Sequence, residues 1–180
     1  MVYPRLASTN LLTILTEIKA ALVYYELFTA DTVYIGLLPD VNELMPSTTY
    51  CVVSPDTNRF INYEDGTVDG EILVTLWSYV NLDVGNSATI EVIDPSVGLL
   101  AVGDKVAGLL QLYDPIDLLG ENWLLAEPMR LTSFGSIYDN GNKWAKYPLR
   151  FDIKYGYLPL FPVLSGGAFS DGFSSAFLIN

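Results

Sequence analysis

The chain has 180 residues, 51% of them hydrophobic, which suits one domain with a core of its own. It carries 9 basic against 21 acidic residues, a net charge of −12, and no lysine- or arginine-rich run, so it lacks the cations that a nucleic-acid binder sets against phosphates. Histidine is absent, which removes the commonest general base and metal ligand, and the single cysteine, Cys51, can form neither an intrachain disulfide nor a thiolate metal cage.

In chain order, Ser8, Thr9 and Asn10 are all good N-caps. Leu11, Ile14, Leu15, Ile18, Ala21, Leu22 and Tyr25 then recur at three- and four-residue steps, predicting an amphipathic helix with Thr13, Thr16, Glu17 and Lys19 on its outer side. The β-branched and aromatic stretch Thr32 to Leu37 predicts a short strand, and Thr48 to Val53 a second, closed by Ser54-Pro55-Asp56. Asp56 to Gly70 is polar and reads as turn-rich. Glu71 to Val80 is the strongest strand pattern: Ile72, Val74 and Leu76 share one face, Leu73, Trp77 and Tyr79 the other. Two mostly apolar faces predict a central strand, covered by a helix on one side and open to a neighbouring subunit on the other.

Asn81 to Pro95 reads as a loop with a brief extended piece at Ala88 to Ile93. Asp94-Pro95-Ser96 is a helix start signal, after which Leu99, Val102, Val106, Leu109, Leu110 and Tyr113 predict a second amphipathic helix. Gly98, Gly103 and Gly108 each cost this helix about 1 kcal/mol relative to Ala, so packing must hold it. Neither helical stretch is suited to spanning a bilayer, being broken by Glu17 and Lys19 or by Asp104 and Lys105, and the expectation is a soluble protein with no membrane partner. Met129 to Tyr138 and Lys143 to Tyr157 predict a hairpin around Asp139-Asn140-Gly141-Asn142. In its second arm Leu149, Phe151, Ile153 and Tyr155 alternate with Arg150, Asp152 and Lys154, while Pro148, which lacks an amide donor, predicts an edge position. From Leu158 the chain is rich in proline, glycine and phenylalanine, which divides it into a domain of 1–157 and a C-terminal arm of 158–180. Phe169, Phe173 and Phe177 fall on one side of the arm whether it is helical or extended, and they are candidate contacts with a neighbour or with the chain's own core.

Chemistry is sparse. Aligned to a twelve-residue calcium loop starting at Asp65, Thr67 takes position three and Leu76 the twelfth, where a bidentate Glu is needed, so the segment reads as a solvated turn. The carboxylates Asp65, Asp69, Glu71, Glu121 and Glu127 have no spacing that brings a catalytic pair together. Cys51, inside TTYCVV, reads as a small buried apolar side chain with no histidine to activate it. No catalytic, cofactor or metal residue is predicted. Trp77, Trp123 and Trp144 would make a carbohydrate-stacking module if they were exposed together.

The order of elements, with Asp69-Gly70-Glu71 leading into ILVTLWSY, the helix VGLLAVGDKVAGLLQL, and RLTSFGSIYDNGNKWAKYPLRFDIKY, resembles the tail-terminator (tail-completion) proteins of long-tailed bacteriophages and gene-transfer particles. The likeness covers about Ser8 to Tyr157. It implies an α+β fold: a small, mostly antiparallel sheet with two helices on one face. It further implies a structural virion protein without an active site, a homo-oligomer forming a hexameric ring. Such a ring caps the tail tube, ends its polymerisation and joins it to the neck or head-completion protein, with DNA passing through the bore. On this reading Glu64, Asp65, Asp69 and Glu71 form an acidic bore-facing loop, and Phe169, Phe173, Phe177, Trp77 and Tyr79 meet subunits or partners. Another head–tail connector, a neck or stopper protein, would use the same chemistry with different partner surfaces.

Overall fold

A computed structural model describes residues 5–6, 8–40, 43–45, 48–62, 67–80, 90–115, 122–135, 138–139 and 143–157. In chain order they form β1 (Arg5–Leu6), β2 (Ser8–Thr9), α1 (Leu11–Tyr24), a 3₁₀ turn (Ala30–Thr32), β3 (Val33–Ile35), β4 (Tyr50–Asn62) and β5 (Thr67–Tyr79). There follow α2 (Ile90–Ile93), α3 (Leu99–Leu110), β6 (Asn122–Trp123), β7 (Glu127–Phe134), β8 (Tyr138–Asp139) and β9 (Trp144–Tyr157). The architecture is α+β, with α1 and α3 packed on one face of a mostly antiparallel sheet.

The long strand β9 is the axis of that sheet. One of its sides pairs with β5 from Trp144 to Gly156, and β5 continues the path through β4 to β3. Its other side pairs in turn with β8, β7 and β2. β1 and β6 form a separate parallel pair. Pro148 therefore sits in a central strand, not at the predicted edge. Its carbonyl accepts from the Gly135 amide at 2.8 Å, so its nitrogen, which points the same way, faces the break between β7 and β8. No ladder bond toward β5 is lost.

Helix α1 forms where the apolar spacing predicts it. Asn10 has extended backbone and its Oδ1 accepts from the Thr13 amide at 3.0 Å, so a side chain satisfies one of the orphan donors of the first turn. Ile14, Leu15, Ile18, Ala21 and Leu22 are buried. Lys19, half-buried on the side of the helix expected to face outward, donates from Nζ to the Val33 carbonyl of edge strand β3 at 2.7 Å.

Two further expectations are corrected. Residues 56–70 do not form one turn-rich loop, because β4 runs on to Asn62 and β5 begins at Thr67, with a register irregularity between Pro55 and Arg59. Polar residues extend as strands here because these two strands pair with each other, and β5 pairs with β9 as well. Residues 90–93 form one helical turn instead of an extended piece.

On the helix side, Val68, Ile72, Val74 and Leu76 of β5 and Leu149, Phe151, Ile153 and Tyr155 of β9 meet Ile14, Ile18 and Leu22 of α1 and Leu99, Val106 and Leu110 of α3 in one core. Gly103 lets α3 drop onto β9: a Cβ there would lie 2.3 Å from Cε1 of Tyr147. The residues after α3 then close the free side of β7. The Leu112 amide donates to the Met129 carbonyl at 2.8 Å, the Met129 amide to Tyr113 at 2.9 Å, and the Leu131 amide to Gln111 Oε1 at 2.7 Å.

Candidate functional site

Side chains alternate along a strand, so the set left over from the core lies on the sheet face away from the helices. At one end of that face Asp69 stands opposite Lys154, Glu71 opposite Asp152 and Leu73 opposite Arg150. β7 adds Glu127 opposite Lys154 and Arg130 opposite Asp152. Glu71 facing Asp152 is a like-charge pair, which costs stability in a sheet. Arg150 offsets it, with Nε 2.8 Å from Asp56 Oδ2 and 3.4 Å from Glu71 Oε2. Arg130 Nη2 lies 3.1 Å from Glu127 Oε2. Together these groups line a shallow depression of about 380 Å³ bounded by Asp69, Glu71, Glu127, Arg130, Asp152 and Lys154. Among the described residues no group of His, Cys, Asp and Glu side chains comes together as a metal site.

The other end of the same face is aromatic. Tyr50 and Trp144 are buried there with Leu44, and Tyr34, Trp77 and Tyr79 pack against them half-buried. The Tyr79 and Trp144 rings meet edge-on at 5.5 Å, and Lys146 Nζ lies 4.0 Å over the Trp77 ring. Trp144 is only 3% exposed, and Trp123 lies apart on the β1–β6 pair, so the three tryptophans do not form the joint platform that sugar stacking requires.

The structure thus places Trp77 and Tyr79 together on this face, and Asp69 and Glu71 on it as well, inside β5 and not in a loop. Glu64, Asp65, Phe169, Phe173 and Phe177 lie outside the described residues. Cys51 is fully buried on the core side, where desolvation pushes its thiol far above its usual range and leaves it inert. The Asp56–Arg150 contact was not legible in the sequence: its partners are 94 residues apart, and Asp56 stood in a stretch that reads as a turn.

A second concave surface lies on the helix side. It is a groove of about 740 Å³ lined by Val23 of α1, by Leu27 and Phe28 just after that helix, by Val97 just before α3 and Val102 within it, and by Thr29, Thr32, Thr48 and Thr49. Glu26 and Lys105 also line it. Next to the groove, Asp94 Oδ1 accepts from Ser96 Oγ at 2.6 Å and from the amides of Ser96 and Val97 at 2.8 and 3.0 Å, which holds the carboxyl below the usual range. Lys105 Nζ donates to the Ser96 carbonyl at 2.7 Å.

No family model matches the sequence, and no curated protein matches it. Among solved structures, the fold is similar to a chain described as "Virion of native gene transfer agent (GTA) particle", with a TM-score of 0.53 and 11% identity over 78% of this chain and 92% of that one. At that identity the likeness is one of fold. Among the described residues no helix is long and apolar enough to cross a membrane.

Proposed function

We propose that this chain is a structural virion protein that caps the phage-type tail tube as a ring, ends tube polymerisation and joins the tail to the head or neck. The observation that carries the reading is the fold shared with a gene transfer agent virion chain over 92% of that chain's length. It is the class of particle that the element order Asp69-Gly70-Glu71, central strand, helix and final PLRFDI strand suggests.

The function asked of such a protein is association, and the sheet face away from the helices has the parts for it. Its two ends divide the work. From Asp69 to Tyr79, β5 spans roughly 33 Å at about 3.3 Å per residue, so its charged and aromatic ends face different surroundings. On this reading Trp77 and Tyr79 contact a sibling subunit, and Asp69 and Glu71, with Glu64 and Asp65, face the bore. The charged end carries Asp56, Asp69, Glu71, Glu127 and Asp152 against Arg130, Arg150 and Lys154, which leaves it acidic. A mildly acidic wall lets DNA pass without holding it. Six copies close the ring through head-to-tail contacts, with tail-tube protein on one side and a neck or head-completion protein on the other.

Cryo-electron microscopy of the particle is the test. A six-fold ring of this chain at the last tube ring is expected. A location elsewhere in the neck would assign it to a stopper or other connector, and absence from the particle would overturn the virion reading.

A further inference from the structure

We propose that the groove between α1 and α3 receives the C-terminal arm of a neighbouring copy, with Phe169, Phe173 and Phe177 as its anchors. The inference rests on the ring reading and deepens it by naming the contact that links one copy to the next.

The groove is concave; apolar and threonine side chains line it together, and Val97 on its wall is 66% exposed. Val23, Leu27 and Val102 beside it are half-buried, and a concave surface with apolar walls is a place where a second body can sit. The chain itself carries the matching body. β9 ends at Tyr157, and 23 residues follow in the sequence, with four phenylalanines and Asp171 as their one charged side chain. Such a segment loses by staying in water. Its last three phenylalanines recur every four residues, a spacing that falls on one side of either a helix or a strand. A pocket of several hundred Å³ takes a ligand of roughly drug size, which is the scale of two or three such rings. Asp171 lies between Phe169 and Phe173, and the groove supplies Lys105, whose ammonium has three donors and uses one on Ser96.

The chain's own arm is long enough to reach the groove, since the 12 residues from Tyr157 to Phe169 span roughly 40 Å when extended, so the choice of a neighbour follows from the ring reading and the placement of arm and groove. The strand that leads into the arm finishes beside the start of α1, since Tyr157 pairs with Thr9, whereas the groove lies at the far end of that helix. The 14 residues of α1 separate the two by roughly 21 Å at 1.5 Å per residue. An arm at one end and its receptor at the other is the arrangement of head-to-tail contacts that close into rings. Copies with a net charge of −12 also repel one another, so their association needs an apolar lock.

The test uses full-length chains with two different tags, one carrying Val97→Cys and the other Phe173→Cys. The native Cys51 thiol is buried and silent. Leu37→Cys, at a site 85% exposed and outside the groove lining, measures chance collision. After mixing and mild oxidation, a disulfide joining the two tags, at a yield well above the Leu37→Cys control, is expected. No link above that control overturns the proposal. So does a link that forms only within single chains of the Val97→Cys/Phe173→Cys double variant. Solution mass recorded on the unmodified chain separates the two claims. Rings without the link retire the arm contact and leave the ring reading standing; strict monomers retire the ring reading itself.

Discussion

Two glycines in one helix give opposite answers to the same substitution. Gly103 and Gly108 both lie in α3, and replacing either with alanine gains about 1 kcal/mol of helix propensity. At Gly108 nothing lies within 4 Å of the added methyl, so the gain stands and Gly108→Ala stabilises by about 1 kcal/mol. At Gly103 the methyl would lie 2.3 and 2.6 Å from two ring atoms of Tyr147. That ring is buried and stacked on Phe134 with centroids 6.2 Å apart, so it has little room to swing, and α3 must lift from the sheet. Overpacking of this kind costs about 2 to 3 kcal/mol, which exceeds the propensity gain and leaves Gly103→Ala destabilised by about 1 to 2 kcal/mol. Urea denaturation followed by circular dichroism measures both variants. The midpoints should move to opposite sides of the parent. A Gly103→Ala protein as stable as Gly108→Ala would refute the packing of α3 on β9 through this contact.

Other outcomes follow from the same structure. Leu112 has φ of +64° just past α3 and is exposed, so Leu112→Gly should stabilise by about 0.5 to 1 kcal/mol by removing left-handed strain, whereas Leu112→Ala should not. Arg150→Met removes the cation that bridges Asp56 and Glu71 and should cost about 0.5 to 1 kcal/mol, with the loss shrinking at high salt because the pair is partly exposed. Asp114 has a buried Oδ1 with no hydrogen-bond partner among the described residues, and desolvation raises its carboxyl above the ordinary range. The folded chain then holds this proton more tightly than the unfolded chain, so stability falls as pH rises from the ordinary carboxylate pKa through the raised folded one. Asp114→Asn should therefore gain on the parent as pH goes from acid to neutral, in thermal melts recorded across that window.

The two long helices were legible because each carries its own signal. α1 has a cap and an apolar stripe within 14 residues, and α3 has the same stripe despite its glycines. The strong apolar alternation of Glu71 to Val80 likewise located the middle of the sheet. What could not be read depends on partners distant in sequence. The polar ends of β4 and β5 are strands because each has the other to pair with, which composition does not record. Pro148 marked an edge by local rules, yet it sits in the central strand, with its missing donor facing the gap between two partner strands. Of the candidate site, alternation placed Trp77 and Tyr79 on one face, but not the burial of Trp144 beneath them. Arg150 reaching Asp56 across 94 residues lies beyond any pattern of spacing.

Assembly is what the whole reading turns on, and native mass spectrometry of the full chain, alone and mixed with tail-tube protein, observes it without intermediaries. A closed oligomer of six copies that adds to the end of a tube and halts its growth is the expected result. A chain that stays monomeric at every concentration and leaves tube growth unchanged would contradict it.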